Sequence, residues 1–260
     1  MRPRSYIGIT GFMQAKEVDA MLSVLPRDSD RLVMLGVLAS GKTLRFQPNN
    51  WPQRYPRREN LGTIFAPCEN VLNLIHYNTK EPEHLLEDMI LAQSLAGKNC
   101  HGFQLNIAWP DKKVLADYRA QAPDTHRTIV VQCGGKAMSD VGMDPRRLAE
   151  RIQEYDGLAD YVLIDPSGGL GQEFDSNFAG KCFEQLEQAV PNIGFGVAGG
   201  LYDRNLDRKL SDLLEVFDFS IDVEGKLRNG QDDLLVRAAK EYLFTADRIY
   251  QRYRRGASRL

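Results

Sequence analysis

The sequence lacks the features that mark a secreted or membrane-spanning protein. Its start, "MRPRSYIGITGF", contains no apolar segment typical of a signal peptide, and no apolar run approaches the roughly 20 residues of a membrane helix. The four cysteines are scattered and include no C-x-x-C pair, which argues against a disulfide framework or a zinc knuckle. We therefore expect a cytoplasmic protein without a membrane partner.

A strong excess of charge of one sign is missing too. The formal net charge of −2 over 260 residues gives no electrostatic reason to expect a nucleic-acid partner. No cluster of histidine and acidic residues has metal-ligand spacing, and the first apolar run is not followed by the G-x-G-x-x-G turn of a dinucleotide site. We predict neither a metal nor a cofactor, and the sequence leaves the oligomeric state open.

What the sequence does contain is a repeated alternation of short apolar runs and longer amphipathic segments. Eight runs are predicted strands: Ser5 to Gly11, Arg31 to Leu38, Val71 to Asn78, Gly102 to Trp109, Arg127 to Cys133, Tyr161 to Asp165, Ile193 to Gly200 and Asp218 to Val223. The segment "EPEHLLEDMILAQSLAG" has the helical period and a stop at Gly97, and two further segments open on Asp144 and Asp203, which suit an N-cap. Apolar strands that alternate with helices indicate a parallel sheet covered by helices.

Eight strand–helix pairs in a chain of this length predict a (β/α)₈ TIM barrel, with a doubly wound sheet as the alternative. We expect residues 1–260 to form this one domain. Residues 41–67 interrupt the alternation and are predicted to form a long loop, followed by a short or broken helix, on the catalytic face of the barrel. Its arginines are candidate clamps for a carboxylate or phosphate: Arg45, Arg54, Arg57 and Arg58.

The stretch "VLIDPSGGLGQEFD" points to a binding site. A buried strand ends on Asp165, and a loop containing Gly168, Gly169 and Gly171 follows. Glycines let backbone amides approach an anion closely, and a carboxyl group fixed beside them can deliver a proton. This combination suits a small anionic substrate.

Four motifs in chain order carry a family resemblance. "YIGITGF", "VLIDPSGGLGQEFD", "FGVAGGL" and "IDVEGKLRNGQDD" resemble the phosphoribosylanthranilate isomerase family of ribulose-phosphate-binding (β/α)₈ barrels, and "GFQLN" resembles the strand 4 motif of that family. The resemblance implies an Amadori rearrangement of a phosphorylated aminoaldose to an aminoketose. It therefore implies a small phosphorylated ligand.

The resemblance also implies roles for particular residues. Asp165 takes the position of the acid that opens the sugar ring, and Asp222 matches a strand 8 aspartate that is a second candidate catalytic residue. Gly168, Gly169 and Gly171 correspond to a flexible loop of the family. Its phosphate-facing loops correspond to Gly199, Gly200, Glu224 and Gly225. Asn106 occupies the place of a strand 4 histidine in the ligand site.

Two of these matches depart from the family pattern. Ile7 stands where the family has the cysteine that acts as general base, and a hydrocarbon side chain cannot remove a proton. Asn106 replaces a titratable ring with a neutral amide. Asp222 and His76 late in strand 3 are candidate substitutes, whereas His101 is expected at the opposite face. Cys133 at the end of strand 5 is either a further candidate or, as is more common for cysteine, a buried small hydrophobe.

Three functions remain open from the sequence. The first is an isomerase or lyase that acts on a related sugar phosphate. The second is a phosphoribosylanthranilate isomerase with a substitute base. The third is a protein that binds a phosphorylated ligand without catalysis.

Overall fold

A computed structural model describes residues 1–26, 29–166 and 173–257, and it shows eight parallel strands that close into a barrel. Each strand pairs with the next along the chain, and the last pairs with the first through Ile7–Ile221, Gly8–Asp222 and Ile9–Val223. The prediction of a (β/α)₈ barrel is confirmed, and the doubly wound sheet is excluded. The strands are β1 (Tyr6–Thr10), β2 (Leu32–Ser40), β3 (Val71–Asn78), β4 (Gly102–Leu105), β5 (Thr128–Cys133), β6 (Tyr161–Ile164), β7 (Gly194–Ala198) and β8 (Ser220–Val223).

Helices follow the strands and cover the outside of the barrel. They are α1 (Ala15–Leu22), α2 (Gly41–Leu44), α3 (Leu61–Ile64), α4 (Leu85–Ala96), α5 (Lys112–Gln121), α6 (Gly135–Asp140), α7 (Pro145–Gln153), α8 (Ser176–Ala189), α9 (Leu206–Leu214) and α10 (Val236–Ala257). Short 3₁₀ turns lie at Arg58–Asn60, Pro82–His84, Asp124–His126 and Gly225–Leu227.

Two of the three predicted helix ends are confirmed. α4 stops at Gly97, whose φ of 74° is the left-handed conformation that glycine adopts without strain. The Asp144 carboxylate caps α7 by accepting from the amides of Arg146 and Arg147. The prediction for Asp203 is wrong, because α9 begins later, after Asn205.

The fourth predicted strand is too long at its C-terminal end. β4 ends at Leu105, and the apolar residues that follow belong to a loop in which Trp109 has a φ of 55°. Ile107, Ala108 and Trp109 pack partly buried against the core, so the apolar run continues although the strand has ended.

The segment between β2 and β3 contains only short helices. α2 follows β2 directly, and after an irregular proline-containing stretch the turn at Arg58–Asn60 leads into α3. Because each strand of a (β/α)₈ barrel runs from the N-terminal to the C-terminal face, this segment starts beside the carboxyl ends of β2 and β3.

Strand residues alternate between two apolar regions. One region fills the lower barrel interior and contains strand residues: Tyr6, Met34, Leu72, Leu74, Val130, Tyr161, Leu163 and Ala198. The other lies between strands and helices and includes Ile7, Ile9 and Cys133. Side chains two residues apart on a strand point to the same side. The residues two positions beyond these, at the carboxyl ends of the strands, therefore also point into the barrel, at its C-terminal face.

Within the described ranges, no helix combines the length and the apolar character needed to cross a membrane.

Candidate active site

A layer of buried polar side chains lies above the apolar interior, at the carboxyl ends of the strands. Its side chains point into the barrel, and all are at most 7% exposed. They are Thr10 after Gly8, His76 after Leu74, Gln104 after Gly102, Gln132 after Val130, Asp165 after Leu163, and Asp222 after Ser220. Buried polar groups must find partners, so the contacts within this layer determine its chemistry.

Two glutamine amides connect the two carboxylates of this layer. Gln104 Nε2 donates to Asp222 Oδ2 at 2.9 Å and lies 3.4 Å from Gln132 Oε1. Gln132 Nε2 donates in turn to Asp165 Oδ2 at 3.0 Å. Asp222 and Asp165 thus occupy the ends of one hydrogen-bonded chain that crosses the barrel.

Residues of β1 fix Asp222 from the other side. The Thr10 hydroxyl donates to Asp222 Oδ1 at 3.2 Å. Gly8 pairs with Asp222 in the sheet, and a Cβ at Gly8 would lie 2.7 Å from Asp222 Oδ1 and 2.8 Å from the Met34 methyl carbon. A larger residue at this position would therefore displace the carboxylate and the Met34 side chain from their present positions.

Burial sets the protonation of this layer. Desolvation raises the pKa of Asp222 to about 7, although the hydrogen bonds from Gln104 and Thr10 act in the opposite direction. Desolvation also lowers the pKa of His76, against the attraction of Glu224 and Asp165. Asp222 therefore exchanges its proton near neutral pH, and His76 is a neutral ring there.

A pocket of about 70 Å³ opens above this layer. Among its lining residues are candidates from five strand ends: His76, Asn106, Asp165, Gly199, Gly200, Asp222, Glu224 and Gly225, together with Gln132 and Lys226. The structure thus brings together the sequence candidates of strands 4, 6, 7 and 8. Gly168, Gly169 and Gly171 lie outside the described residues.

The side of the pocket between β7 and β8 is built from backbone and from charged side chains. Gly199 and Gly200 have φ values of 114° and 64°, which favour glycine, and the Gly200 carbonyl accepts from Asn205 Nδ2 at 2.9 Å. Across from them the 3₁₀ turn begins at Gly225, next to the exposed Lys226. Loops after strands 7 and 8 with a short extra helix are the recurrent phosphate site of this barrel.

The carboxylate of Glu224 lies in this corner between β7 and β8, and an arginine offsets its charge. Arg54, from the segment after β2, places Nη1 2.9 Å from Glu224 Oε1 and Nε 2.6 Å from Asp232 Oδ2. The buried Arg228 lies on the other side, with Nε 4.0 Å from Glu224 Oε1. Glu224 is therefore part of an ion network that ties the segment after β2 to the loop after β8.

The other three candidate arginines lie elsewhere. Arg45 forms a bidentate ion pair with Asp88 of α4, and Arg58 donates to the carbonyl of Leu44. Arg57 is exposed. None of the four side chains lines the pocket between β6 and β8, so Arg54 reaches it only through Glu224.

Side chains alternate between the two faces of β1 and β5, and two positions considered for a base face away from the barrel interior. Ile7 is fully buried between the barrel and its helices, so β1 presents Gly8 and Thr10 to the interior. Cys133 also points outward, and burial raises the pKa of its thiol to about 12. Cys133 is therefore a buried small hydrophobe and not a candidate base, because Gln132 occupies the inward position of β5.

The histidines behave as expected from their positions. His76 lines the pocket, and its Nδ1 has no hydrogen-bond partner in the described structure. His101 precedes β4 at the opposite face, where its Nδ1 accepts from the backbone amide of Asn73.

Sequence reasoning missed four residues of this site: Thr10, Gln104, Gln132 and Lys226. Gln104 and Gln132 are single polar residues in the inward phase of otherwise apolar strands, and that signal is readable from the sequence. Thr10 gives no such signal, since threonine is common in strands.

In residues 1–26, 29–166 and 173–257, no group of three or more histidine, cysteine or acidic side chains is arranged to hold a metal ion.

Solved structures of other proteins share this barrel fold. Phosphoribosyl anthranilate isomerase from Thermus thermophilus superposes with a TM-score of 0.63 at 12% identity, over 92% of this chain and 97% of that one. The enzyme from Thermococcus kodakaraensis gives 0.59 at 14% identity, over 94% and 98%. A phosphoribosyl anthranilate isomerase in complex with reduced 1-(o-carboxyphenylamino)-1-deoxyribulose 5-phosphate gives 0.60 at 14% identity, over 93% and 98%.

No protein-family model matches the chain, and no curated protein sequence matches it. The chain thus has the barrel fold of phosphoribosylanthranilate isomerases. The sequence identities are low, so the comparison shows a shared fold and nothing further.

Proposed function

We propose that this protein is an aldose–ketose isomerase that moves a proton between adjacent carbons of a small phosphorylated sugar. The observation that carries the proposal is the pair of buried carboxyl groups, Asp165 and Asp222, joined by two amides beneath a pocket with a glycine-rich corner. Isomerisation of this kind needs a base and an acid on one substrate, together with a site that anchors its anionic end.

The corner between β7 and β8 is the proposed phosphate site. Gly199, Gly200 and Gly225 let the backbone approach the phosphate closely, and Lys226 supplies a positive charge. Arg54 offsets the charge of Glu224, which would otherwise repel the anion. A phosphorylated ligand in one structurally similar isomerase supports this choice of ligand class.

Asp222 is the proposed base. A base works best when its pKa lies near the working pH, and burial brings the pKa of Asp222 to about 7. In its ionised form it takes the proton from C2 of the sugar, and once this proton has exchanged with solvent the same carboxyl group delivers a proton to C1. Asp222 thus takes the part that the cysteine plays in the family that the sequence resembles.

Asp165 is the proposed proton donor, in agreement with that resemblance. It donates a proton to the ring oxygen as the bond from C1 to that oxygen breaks, and it takes a proton back from the C2 hydroxyl as the ketone forms at C2. The C2–H bond is replaced by a C1–H bond, so the reaction needs no oxidant or reductant. Gln104 and Gln132 hold the two carboxyl groups in place.

Asparagine variants test this assignment. Asp165→Asn and Asp222→Asn preserve shape but remove the titratable proton, so turnover should fall about 10²–10⁴-fold. Affinity for the ligand, measured by calorimetry, should stay within a few fold. Asp117→Asn, on the outer surface of α5, is the matched control and should change neither quantity.

The substrates for this test are ribose 5-phosphate and phosphoribosylanthranilate, assayed in parallel. Turnover of the second by the wild-type protein, lost in Asp222→Asn, would identify a phosphoribosylanthranilate isomerase with a substitute base. Tight binding of both compounds with no turnover would contradict the proposal and favour a binding protein.

A further inference from the structure

A cleft much larger than the pocket lies beside it, over the ends of β3, β4 and β5. Its volume is about 990 Å³, against about 70 Å³ for the pocket. Asn106 and Gln132 line both, so the two spaces adjoin each other. A ligand anchored between β7 and β8 therefore has open space on the opposite side of the barrel.

The lining of the cleft is rich in cations. Four basic side chains face it, which are Lys80, Lys112, Lys136 and Arg151. The acidic residue in the lining is Asp111, and its carboxylate accepts from the amide of Lys113 at the start of α5. The cleft therefore favours an anionic group.

Three lysines are accessible to such a group, two of them from exposed ion pairs. Lys112 pairs with Glu154 and Lys136 with Asp140, but the two lysine side chains are 48% and 75% exposed, and exposed ion pairs are weak. Lys80 is exposed and makes no ion pair in the described part of the chain. Arg151, in contrast, is held by Glu154 and lies over the Trp109 ring.

The wall that carries Lys112 is preformed. Trp109 adopts a φ of 55°, which is rare for a bulky residue and indicates local strain of the kind found at functional sites. Its ring stacks on Tyr155 with centroids 6.5 Å apart, and the Tyr155 hydroxyl donates to the carbonyl of Pro110 at 2.8 Å. These contacts fix the turn that leads to Lys112.

The floor of the cleft repeats a feature of the phosphate corner. Gly134 and Gly135 follow β5 as Gly199 and Gly200 follow β7, and Lys136 comes next. A phosphate thus finds glycine backbone and lysine side chains on this side of the barrel as well.

We propose that the cleft over β3 to β5 binds a second phosphate, and that the ligand is a sugar bisphosphate whose two phosphates lie on opposite sides of the carboxylate pair. This inference rests on the proposed function, since it extends the ligand bound at the β7–β8 corner.

A matched pair of compounds tests it. Ribulose 5-phosphate and ribulose 1,5-bisphosphate differ by one phosphate, and their affinities are measured by calorimetry on three proteins. The first is the wild type, and the second carries Lys80→Ala, Lys112→Ala and Lys136→Ala. The third is a control with the same charge change outside the cleft: Lys16→Ala, Lys113→Ala and Lys181→Ala.

The wild type and the control should bind the bisphosphate about 10-fold to 100-fold more tightly than the monophosphate, the range expected of one charge-assisted interaction. The cleft variant should lose this preference and keep its affinity for the monophosphate within about twofold. If the wild type binds both compounds equally, or if the cleft variant still prefers the bisphosphate, the proposed phosphate site in the cleft is wrong. The proposed site between β7 and β8 is unaffected by that result. If the wild type binds neither compound, the proposed function fails and this inference falls with it.

Discussion

The barrel interior contains two layers that differ in chemistry although the same strands build both. The lower layer is hydrocarbon and aromatic, with Leu74 and Leu163 as examples, and the upper layer two residues further on contains His76 and Asp165. The lower layer gains stability from burial, whereas the upper layer requires the desolvation of carboxyl groups. The lower layer therefore stabilises the fold, whereas the upper layer is costly to bury and holds the residues of the proposed chemistry.

The largest expected effect is on the lower layer. Leu74 is fully buried in the barrel interior, and Leu74→Ala should reduce the free energy of unfolding by about 2–5 kcal/mol because it leaves a cavity. Denaturant titration measures this loss, and kcat should stay close to the wild-type value below the transition. A loss of kcat without a loss of stability would show that the two layers are not separable in this way.

The second effect concerns pH and the upper layer. The folded-state pKa of Asp222 is about 7 and the unfolded value is about 3.9, so the folded state binds the proton more tightly. The resulting stability is complete below pH of about 4 and is lost as the pH rises through about 7. The difference in unfolding free energy between wild type and Asp222→Asn should therefore decline over this window, by up to about 4 kcal/mol.

The catalytic rate should rise over the same pH window in which this contribution to stability is lost. Since Asp222 is the proposed base, kcat/KM should rise with pH through about 7 as the carboxyl group ionises. A rate that falls through this range would assign the acid role to Asp222 and remove it as the base.

The third effect is on the connection between the carboxyl groups. Gln104→Leu removes the hydrogen bond that favours ionised Asp222, so the midpoint of the pH–rate profile should rise above about 7. A rise of one pKa unit would lower the rate at pH 7 about fivefold, since the ionised fraction of the carboxyl group falls from about one half to about one eleventh. Gln121→Leu, exposed on α5, is the control, and an unchanged midpoint in Gln104→Leu would show that the amide does not tune Asp222.

The smallest effect is on the ion network at the phosphate corner. Arg54→Met leaves Glu224 without its closest cation, so the dissociation constant for a phosphorylated ligand should rise several-fold while kcat changes little. Arg57→Met, in the same segment but exposed, should leave both values unchanged. Equal behaviour of the two variants would remove Arg54 from the account of the corner.

The sequence predicted the fold because the alternation of apolar strands and helices is a strong signal over eight repeats. It also predicted which loops meet, since Asp165, Gly199 and Asp222 all follow strands whose carboxyl ends share one face of the barrel. A β-strand exposes opposite faces at successive residues, so a position one residue off points to the wrong layer. Cys133 lies in the outer layer rather than among the candidate bases for this reason, and so does Ile7.

The connection between the carboxyl groups could not be predicted from the sequence. Gln104 and Gln132 are 28 residues apart, and they meet because β4 and β5 are neighbours. The pKa of Asp222 depends on burial by residues from many strands, which no local pattern reveals. The pairing of Arg54 with Glu224 joins residues 170 positions apart, across loops whose course only the structure shows.

Solvent-deuterium exchange tests the central claim most directly, because it detects proton abstraction whether or not a product accumulates. Ribose 5-phosphate and phosphoribosylanthranilate are incubated with the protein in D₂O, and mass spectrometry and NMR follow deuterium at C1 and C2. We expect incorporation with the wild-type protein and with Asp117→Asn, and none above background with Asp222→Asn. Binding of either compound without incorporation by the wild type, or equal incorporation by Asp222→Asn, would contradict the assignment of Asp222 as the base.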